Sequence, residues 1–273
     1  MKLISLVLVL SSVLLSSETA DTALDASVNH NINTSVVDAL IRALDDDNWM
    51  VREMAAVSLG LNGNPKAIDH LIKTLQDESP HVRMQAAAAL VRLGKKEYIN
   101  QIIENLNASQ REIRVRAALT LGEICDPYAV NPLIKALGDD DWLVRGSAAI
   151  ALGTIRDPRA VAPLMRATHD NNWMVRRDAV IALGVTGDSR AVEALLQALN
   201  DENPHVRIWS ASSLVRLGQG EYIDQITRAL HSEDFDLRAD AANALGSIND
   251  SRVIYETAAC DIIVLCVTSY KLI

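Results

Sequence analysis

Residues 170–184 read DNNWMVRRDAVIALG, and residues 46–60 read DDNWMVREMAAVSLG, 124 positions earlier. Both stretches keep Trp-Met and Val-Arg and differ after the Arg, so the chain repeats itself, and the period must be found before any domain is counted. Aligned on the apolar residue and its Arg, these are two of seven copies: Val51-Arg52, Val82-Arg83, Ile113-Arg114, Val144-Arg145, Val175-Arg176, Val206-Arg207 and Leu237-Arg238. Every step is 31 residues. A leucine stands eight positions after each apolar residue, from Leu59 and Leu90 to Leu245, and the fourth and fifth positions are small almost throughout, as in Ala148-Ala149.

At about 100° per residue, offsets 0, +4, +5, +7 and +8 share one side of a helix, which is its buried side. Each unit therefore holds a helix beginning near Val-Arg. A second amphipathic segment precedes it, such as DPYAVNPLIKALGD at 126–139, where Asp126 can cap and Pro127 takes the first helical position. Pro132 and Pro163 lie inside these preceding helices and are expected to kink them. The reading is an all-α chain of seven 31-residue, two-helix repeats over residues 34–250.

The units are also grouped. DESPHVRMQAAAALVRLGKKEYINQI at 77–102 returns as DENPHVRIWSASSLVRLGQGEYIDQI at 201–226, down to Val91 and Val215 where other units have Gly. A block of four units was duplicated at the 124-residue offset. An eighth unit begins near residue 251 and fails: Thr257, Ala258 and Asp261 stand where unit 6 has Leu195, Leu196 and Leu199. Residues 251–273 read as a divergent cap, or as a truncated or frameshifted end.

The recurring D-x-x-x-x-V-R-x-x-A-A-x-x-L-G resembles the HEAT-like repeats of the phycobilin-lyase type, over about residues 34–250. That resemblance implies a right-handed α-solenoid with first helices on the convex side, second helices on the concave side and contacts between neighbouring units only. It also implies a structural role for two columns. Asp46, Asp77, Asp139, Asp170 and Asp201, with Arg52, Arg83, Arg114, Arg145, Arg176, Arg207 and Arg238, would form a ladder linking units. Ala108 and Ser232 interrupt the Asp column.

Composition agrees and excludes some partners. The chain has 273 residues, a formal net charge of -9 and one Phe, which suits closely packed helices and disfavours a phosphate backbone as partner. Cys125, Cys260 and Cys266 have neither C-x-x-C spacing nor a nearby His, so no metal and no cofactor is expected. Lys2, the apolar run 3–15 and the small and polar residues to Ala20 read as a secretory signal peptide, followed by a polar linker over 21–33. The competing readings are an over-extended start, or an apolar segment that stays and caps the first repeat. The run is shorter than the roughly 20 apolar residues that span a bilayer. The mature chain is expected to be an extracytoplasmic monomer without an integral membrane span, or cytoplasmic if the signal reading fails.

Subtracting the buried offsets leaves -2, -1, +2, +3 and +6 on the second helices, and all four Trp and the Phe fall there. The candidate partner-binding residues are Trp49, Met50, Met54, Met84, Trp142, Leu143, Trp173, Met174, Ile208, Trp209 and Phe235. A line of large apolar residues on a concave face reads as a contact surface for a protein or peptide. The competing reading folds the Trp over the seams between units. His81 and His205 read as surface residues inherited through the duplication.

No catalytic constellation is present. None of the six His is followed by Glu, the dipeptide that marks deoxyhypusine hydroxylases, and the concave face lacks the basic character of HEAT-like DNA glycosylases. The reading is a non-enzymatic scaffold. A phycobilin lyase-like subunit holding a tetrapyrrole in a Trp- and Met-lined groove is the alternative.

Overall fold

A computed structural model describes residues 34–248, and the expectations for 1–20, 21–33 and 251–273 concern stretches outside these residues. The described residues are helices and turns with no strand. Seven first helices cover 34–43, Ile68–Thr74, Ile99–Glu104, Val130–Ala136, Val161–Ala167, Val192–Ala198 and Ile223–Ala229. Each is followed by a second helix: Trp49–Asn62, Pro80–Arg92, Arg111–Ile124, Trp142–Ile155, Trp173–Thr186, Pro204–Arg216 and Phe235–Ile248. The described residues form an α-solenoid of seven two-helix units.

Local chemistry sets the helix starts. Asn48, Asp141, Asn172 and Asn203 each accept a hydrogen bond from the N–H two residues on, which satisfies a donor that the helix itself leaves open. In units 2, 4, 5 and 6 the first helix is preceded by a separate 3-10 turn, capped at Asn64, Asp126, Asp157 or Asp188. The sequence predicts a kink at Pro132 and Pro163, whereas the break lies ahead of both prolines, at this turn. Units 2 and 6 show the same break with His70 and Ala194 at the equivalent position, so the break belongs to the repeat and not to proline.

The periodic residues form the core. In unit 4, Val144, Ala148, Ala149, Ala151 and Leu152 are completely buried. So are the column leucines Leu59, Leu90, Leu121, Leu152, Leu183 and Leu214, each worth about 1.5–3 kcal/mol of transfer free energy. What brings the units together is a glycine. A Cβ on Gly60, Gly122 or Gly153 would stand 2.7, 2.9 or 2.7 Å from the Cα of Ala89, Ala151 or Ala182, the small residue of the next unit's second helix. Only Gly permits that approach. Successive second helices accordingly pack on one another, while the first helices pack mainly on second helices. A stack that is tight on one layer and loose on the other must curve around the tight one, so the second helices line the concave side.

The arginines tie the same joints. Arg52 Nε and Nη2 donate to Asp77 Oδ2 and Oδ1 at 2.6 and 2.9 Å, while Nη1 donates to the carbonyls of Asp46 and Asp47 at 2.8 and 3.1 Å. One guanidinium thus closes its own unit's turn and grips the next unit's aspartate. The arrangement repeats at Arg114–Asp139, Arg145–Asp170 and Arg176–Asp201. Each aspartate also accepts the N–H two residues on, from Ser79, Asp141, Asn172 or Asn203. Burial pushes the carboxyls of Asp77, Asp170 and Asp201 up, but the arginine and backbone donors outweigh it and hold all three below the ordinary aspartate value.

Two joints lack this grip. Arg83 and Arg207 close their own turns through Nη1, but Ala108 and Ser232 occupy the aspartate's place. Asp46, in the first unit, caps its own turn by accepting from the Asn48 N–H at 2.8 Å. Arg238 closes the turn of unit 7 through the Ser232 and Glu233 carbonyls.

Candidate interaction surface

The turn of each unit delivers two residues, at offsets -2 and -1, to the first turn of the second helix on one rim of the concave layer. At two places these rings meet across units. Trp49 stacks on His81 with centroids 5.2 Å apart at 27°, and Trp173 stacks on His205 at 5.2 Å and 28°. The Arg177 guanidinium carbon lies 5.6 Å above the Trp173 ring, and His205 Nδ1 is 2.7 Å from Asp240 Oδ2. Trp49 and Trp173 thus cover seams. Trp49 keeps 38% of its surface exposed while doing so.

The two stacks differ beyond the rings. Where unit 7 presents Asp240, unit 3 presents Arg116, whose Nη1 lies 3.2 Å from Glu53 Oε1. His81 Nδ1 is buried without a hydrogen-bond partner, and burial, then Arg116, push the imidazole pKa down, only partly offset by Glu53. His81 is therefore neutral at neutral pH, held as a ring partner by desolvation. Both His were expected as surface residues inherited through the duplication. The signal that could have found them is a Trp at -2 followed 32 residues later by a His at -1, which occurs twice.

The remaining candidates fall into three groups. Met50, Met54 and Phe235 are exposed, at 52%, 41% and 71%, with Phe235 lying 5.8 Å from the Arg238 guanidinium carbon. Trp142, Leu143, Met174 and Trp209 are half-buried. Met84 and Ile208 are core residues, 1% and 5% exposed, and leave the surface on which they were expected. The same correction covers Gln85, Ser147 and Asp178, all within 3% of complete burial. The close helix spacing is the reason: in the middle units the +2 and +3 positions are flanked on both sides by neighbouring second helices, so the free face narrows to the rim.

Charge is unevenly placed around that rim. The turns joining first to second helices, at 45–48, 76–79, 107–110, 138–141, 169–172, 200–203 and 231–234, contain no Lys or Arg, and all but that of unit 3 carry Asp or Glu. Ladder arginines neutralise Asp77, Asp139, Asp170 and Asp201, whereas Asp45, Asp46, Asp47 and Asp140 are exposed. The opposite edge carries Lys66, Lys95, Lys96, Arg159 and Arg190 among its acids. Among the described residues no group of three or more His, Cys, Asp or Glu could hold a metal ion, and no helix is long and apolar enough to cross a membrane. A cleft lined by Ile41, Leu44, Asp45, His70, Lys73, Thr74, Gln76 and Asp77 opens between the first helices of units 1 and 2, away from the stacked Trp.

The family model for HEAT repeats matches residues 21–91, 37–109, 99–184 and 162–246. The chain belongs to the HEAT-repeat family. The phycobilin-lyase type is not singled out within it: the solved structures similar to this HEAT-repeat chain are of several kinds. YibA of Escherichia coli matches with a TM-score of 0.52 at 20% identity, covering 94% of this chain and 100% of its own. The complex of CpcE and CpcF of phycocyanin lyase from Nostoc matches with a TM-score of 0.48 at 20% identity, over 93% of this chain and 97% of that one. Human deoxyhypusine hydroxylase matches with a TM-score of 0.34 at 23% identity, over 78% and 84%. At such identities the likeness concerns the fold. No curated protein matches this HEAT-repeat chain.

Proposed function

We propose that this HEAT-repeat protein is a non-enzymatic scaffold that binds a protein or peptide segment along the start of its second helices. The observation that carries the reading is the exposed apolar group Trp49, Met50 and Met54 at one end of the rim, with the half-buried Trp142, Leu143, Trp173, Met174 and Trp209 along it and Phe235 at the other end. Met50 and Met54 lie outside the core and Trp49 keeps 38% of its surface exposed while covering its seam, and Met and Trp together give an adaptable apolar anchor site. The acidic turns beside them favour a partner segment with apolar anchors flanked by Lys or Arg. They disfavour nucleic acid.

The test places a photo-crosslinking amino acid at Met50, on the rim, or at Ile72, an exposed first-helix residue on the outer side. Irradiation in extract of the native host should give discrete protein adducts from position 50 and none from position 72. Adducts from position 72 alone would move the binding surface to the convex side. A tetrapyrrole-holding subunit of the phycobilin-lyase kind is the second reading, since the half-buried Trp and Met could pack against a flat apolar ring system. An absorbance scan of protein purified from the host separates the two, because a bound pigment absorbs in the visible and a peptide does not.

A further inference from the structure

The two joints that lack an aspartate also lack the glycine. Between units 1 and 2, 3 and 4, 4 and 5, and 5 and 6, a Gly sits against the next unit's small residue and an Arg grips the next unit's Asp. Between units 2 and 3, and between units 6 and 7, Val91 and Val215 replace the Gly, and Ala108 and Ser232 replace the Asp. Valine's side chain does not permit the approach that Gly allows. The second helices at these two joints meet over a shorter stretch than those of units 4 and 5.

Other contacts fill the gaps without reproducing the grip. At the first joint Gln85 Nε2 lies 3.3 Å from Thr120 Oγ1, Arg92 Nη2 lies 3.2 Å from Glu123 Oε2, and the half-exposed Arg116 of unit 3 reaches across to Glu53 of unit 1 at 3.2 Å. At the second, Ser212 Oγ lies 3.3 Å from the Ala244 carbonyl, with His205–Asp240 beside it. Most of these contacts are long, and none is shown as the bidentate pair with turn closure that each gripping arginine makes. The second joint is filled by a small apolar cluster, Ile208 and Ala211 of unit 6 with Ile226, Ala241 and Ala244 of unit 7, separate from the core that runs through the preceding units.

We infer that the joints between units 2 and 3 and between units 6 and 7 are hinges, dividing the solenoid into three blocks: units 1–2, units 3–6 and unit 7. In a stack held mainly by contacts between neighbouring units, overall curvature is close to the sum of the joint angles, so a loose joint moves everything beyond it. The first hinge separates Trp49, Met50 and Met54 from Trp142 and Trp173. The second separates that centre from Phe235. If the scaffold reading holds, a segment that engages both sides of a hinge selects one curvature. The hinges themselves do not depend on that reading, and their test needs no partner.

Arg42, Glu104, Arg166 and Arg228 are exposed residues at equivalent places on the first helices of units 1, 3, 5 and 7. Spin labels at pairs of these positions, in full-length protein with Cys125, Cys260 and Cys266 replaced by Ser, span two joints each. Separations of about 20 Å, from helix spacings of 8–10 Å, suit pulsed dipolar measurement. The 104/166 pair crosses only gripped joints and should give a narrow distance distribution. The 42/104 and 166/228 pairs each cross one hinge and should give distributions about twofold broader, because joint motions add along a quasi-one-dimensional stack. Adding Ala108→Asp offers Arg83 the missing carboxylate and should narrow 42/104 while leaving 166/228 unchanged. Equal widths for all three pairs, or broadening confined to 166/228, overturns the internal hinge. A 42/104 distribution that Ala108→Asp does not narrow overturns the assignment of its cause.

Discussion

Replacing Arg145 by Ala tests the ladder in the middle of the stack. Its guanidinium donates to Asp170 Oδ2 at 2.7 Å and Oδ1 at 2.8 Å, and to the carbonyls of Asp139 and Asp140 at 2.9 and 3.1 Å. The substitution removes all four bonds and leaves a mostly buried Asp170 carboxylate with only the Asn172 N–H. Hydrogen bonds to charged groups contribute about 1.5–3 kcal/mol each, and the part-exposed setting reduces that, so the expected loss is about 2–4 kcal/mol. Arg83→Ala is the internal control, since Arg83 makes the same two turn-closing bonds and has no aspartate to grip in the next unit. Its expected loss is about 1 kcal/mol. For a chain of this size each kcal/mol moves the melting temperature by about 2–4 °C. Urea unfolding followed by circular dichroism and calorimetry would read both variants. Arg145→Ala should also split the transition, because weakening one joint of a repeat stack uncouples the units on either side. Arg145→Lys should recover only part of the loss, since an ammonium cannot make the bidentate fork. Equal losses for Arg145→Ala and Arg83→Ala would refute the reasoning, because the cost would then reside in the turn and not in the joint.

Three further outcomes are expected. Gly153→Ala puts a Cβ 2.7 Å from Ala182 Cα and should destabilise by about 1–2 kcal/mol despite the better helix propensity of Ala, whereas Gly246→Ala, with nothing within 4 Å, should be neutral or stabilising in the same denaturation assay. The carboxyls of Asp77, Asp170 and Asp201 are held below their ordinary value of 3.8, so their stabilisation is fully present above that value and disappears as pH falls through the lower folded values. An Asp170→Asn variant should therefore lose less stability than the parent over that acid range in a pH-dependent melting series, and parallel losses would argue against the ladder as the titrating element. The third concerns export, which we propose from residues 1–20: N-terminal sequencing of protein from the host should find a chain lacking residues 1–17 or 1–20, and an intact Met1 would count against it.

The sequence by itself determined the repeat, its length and the class of fold, because a helix's buried face is a local property written every three to four residues. Leu59, Leu90, Leu121, Leu152, Leu183 and Leu214 could be placed in the core by counting, and all six are completely buried. The cap at Asp126 was equally local. The distance between neighbouring units was not, because it depends on a Gly of one helix meeting an Ala of another 29 residues later, as Gly153 meets Ala182. That spacing buried Met84 and Ile208, which helical periodicity alone assigned to the free face. It also brought Trp49 to His81 and Trp173 to His205, pairs that sit on different helices and share no local pattern. The Arg column was visible in the sequence, but the direction of its grip, each Arg forward to the Asp 25 residues on, was decided only by how one unit sits on the next. Periodicity records which side of a helix avoids water; which atoms fill that side is set by the approach of its neighbours, and only the tertiary structure contains that.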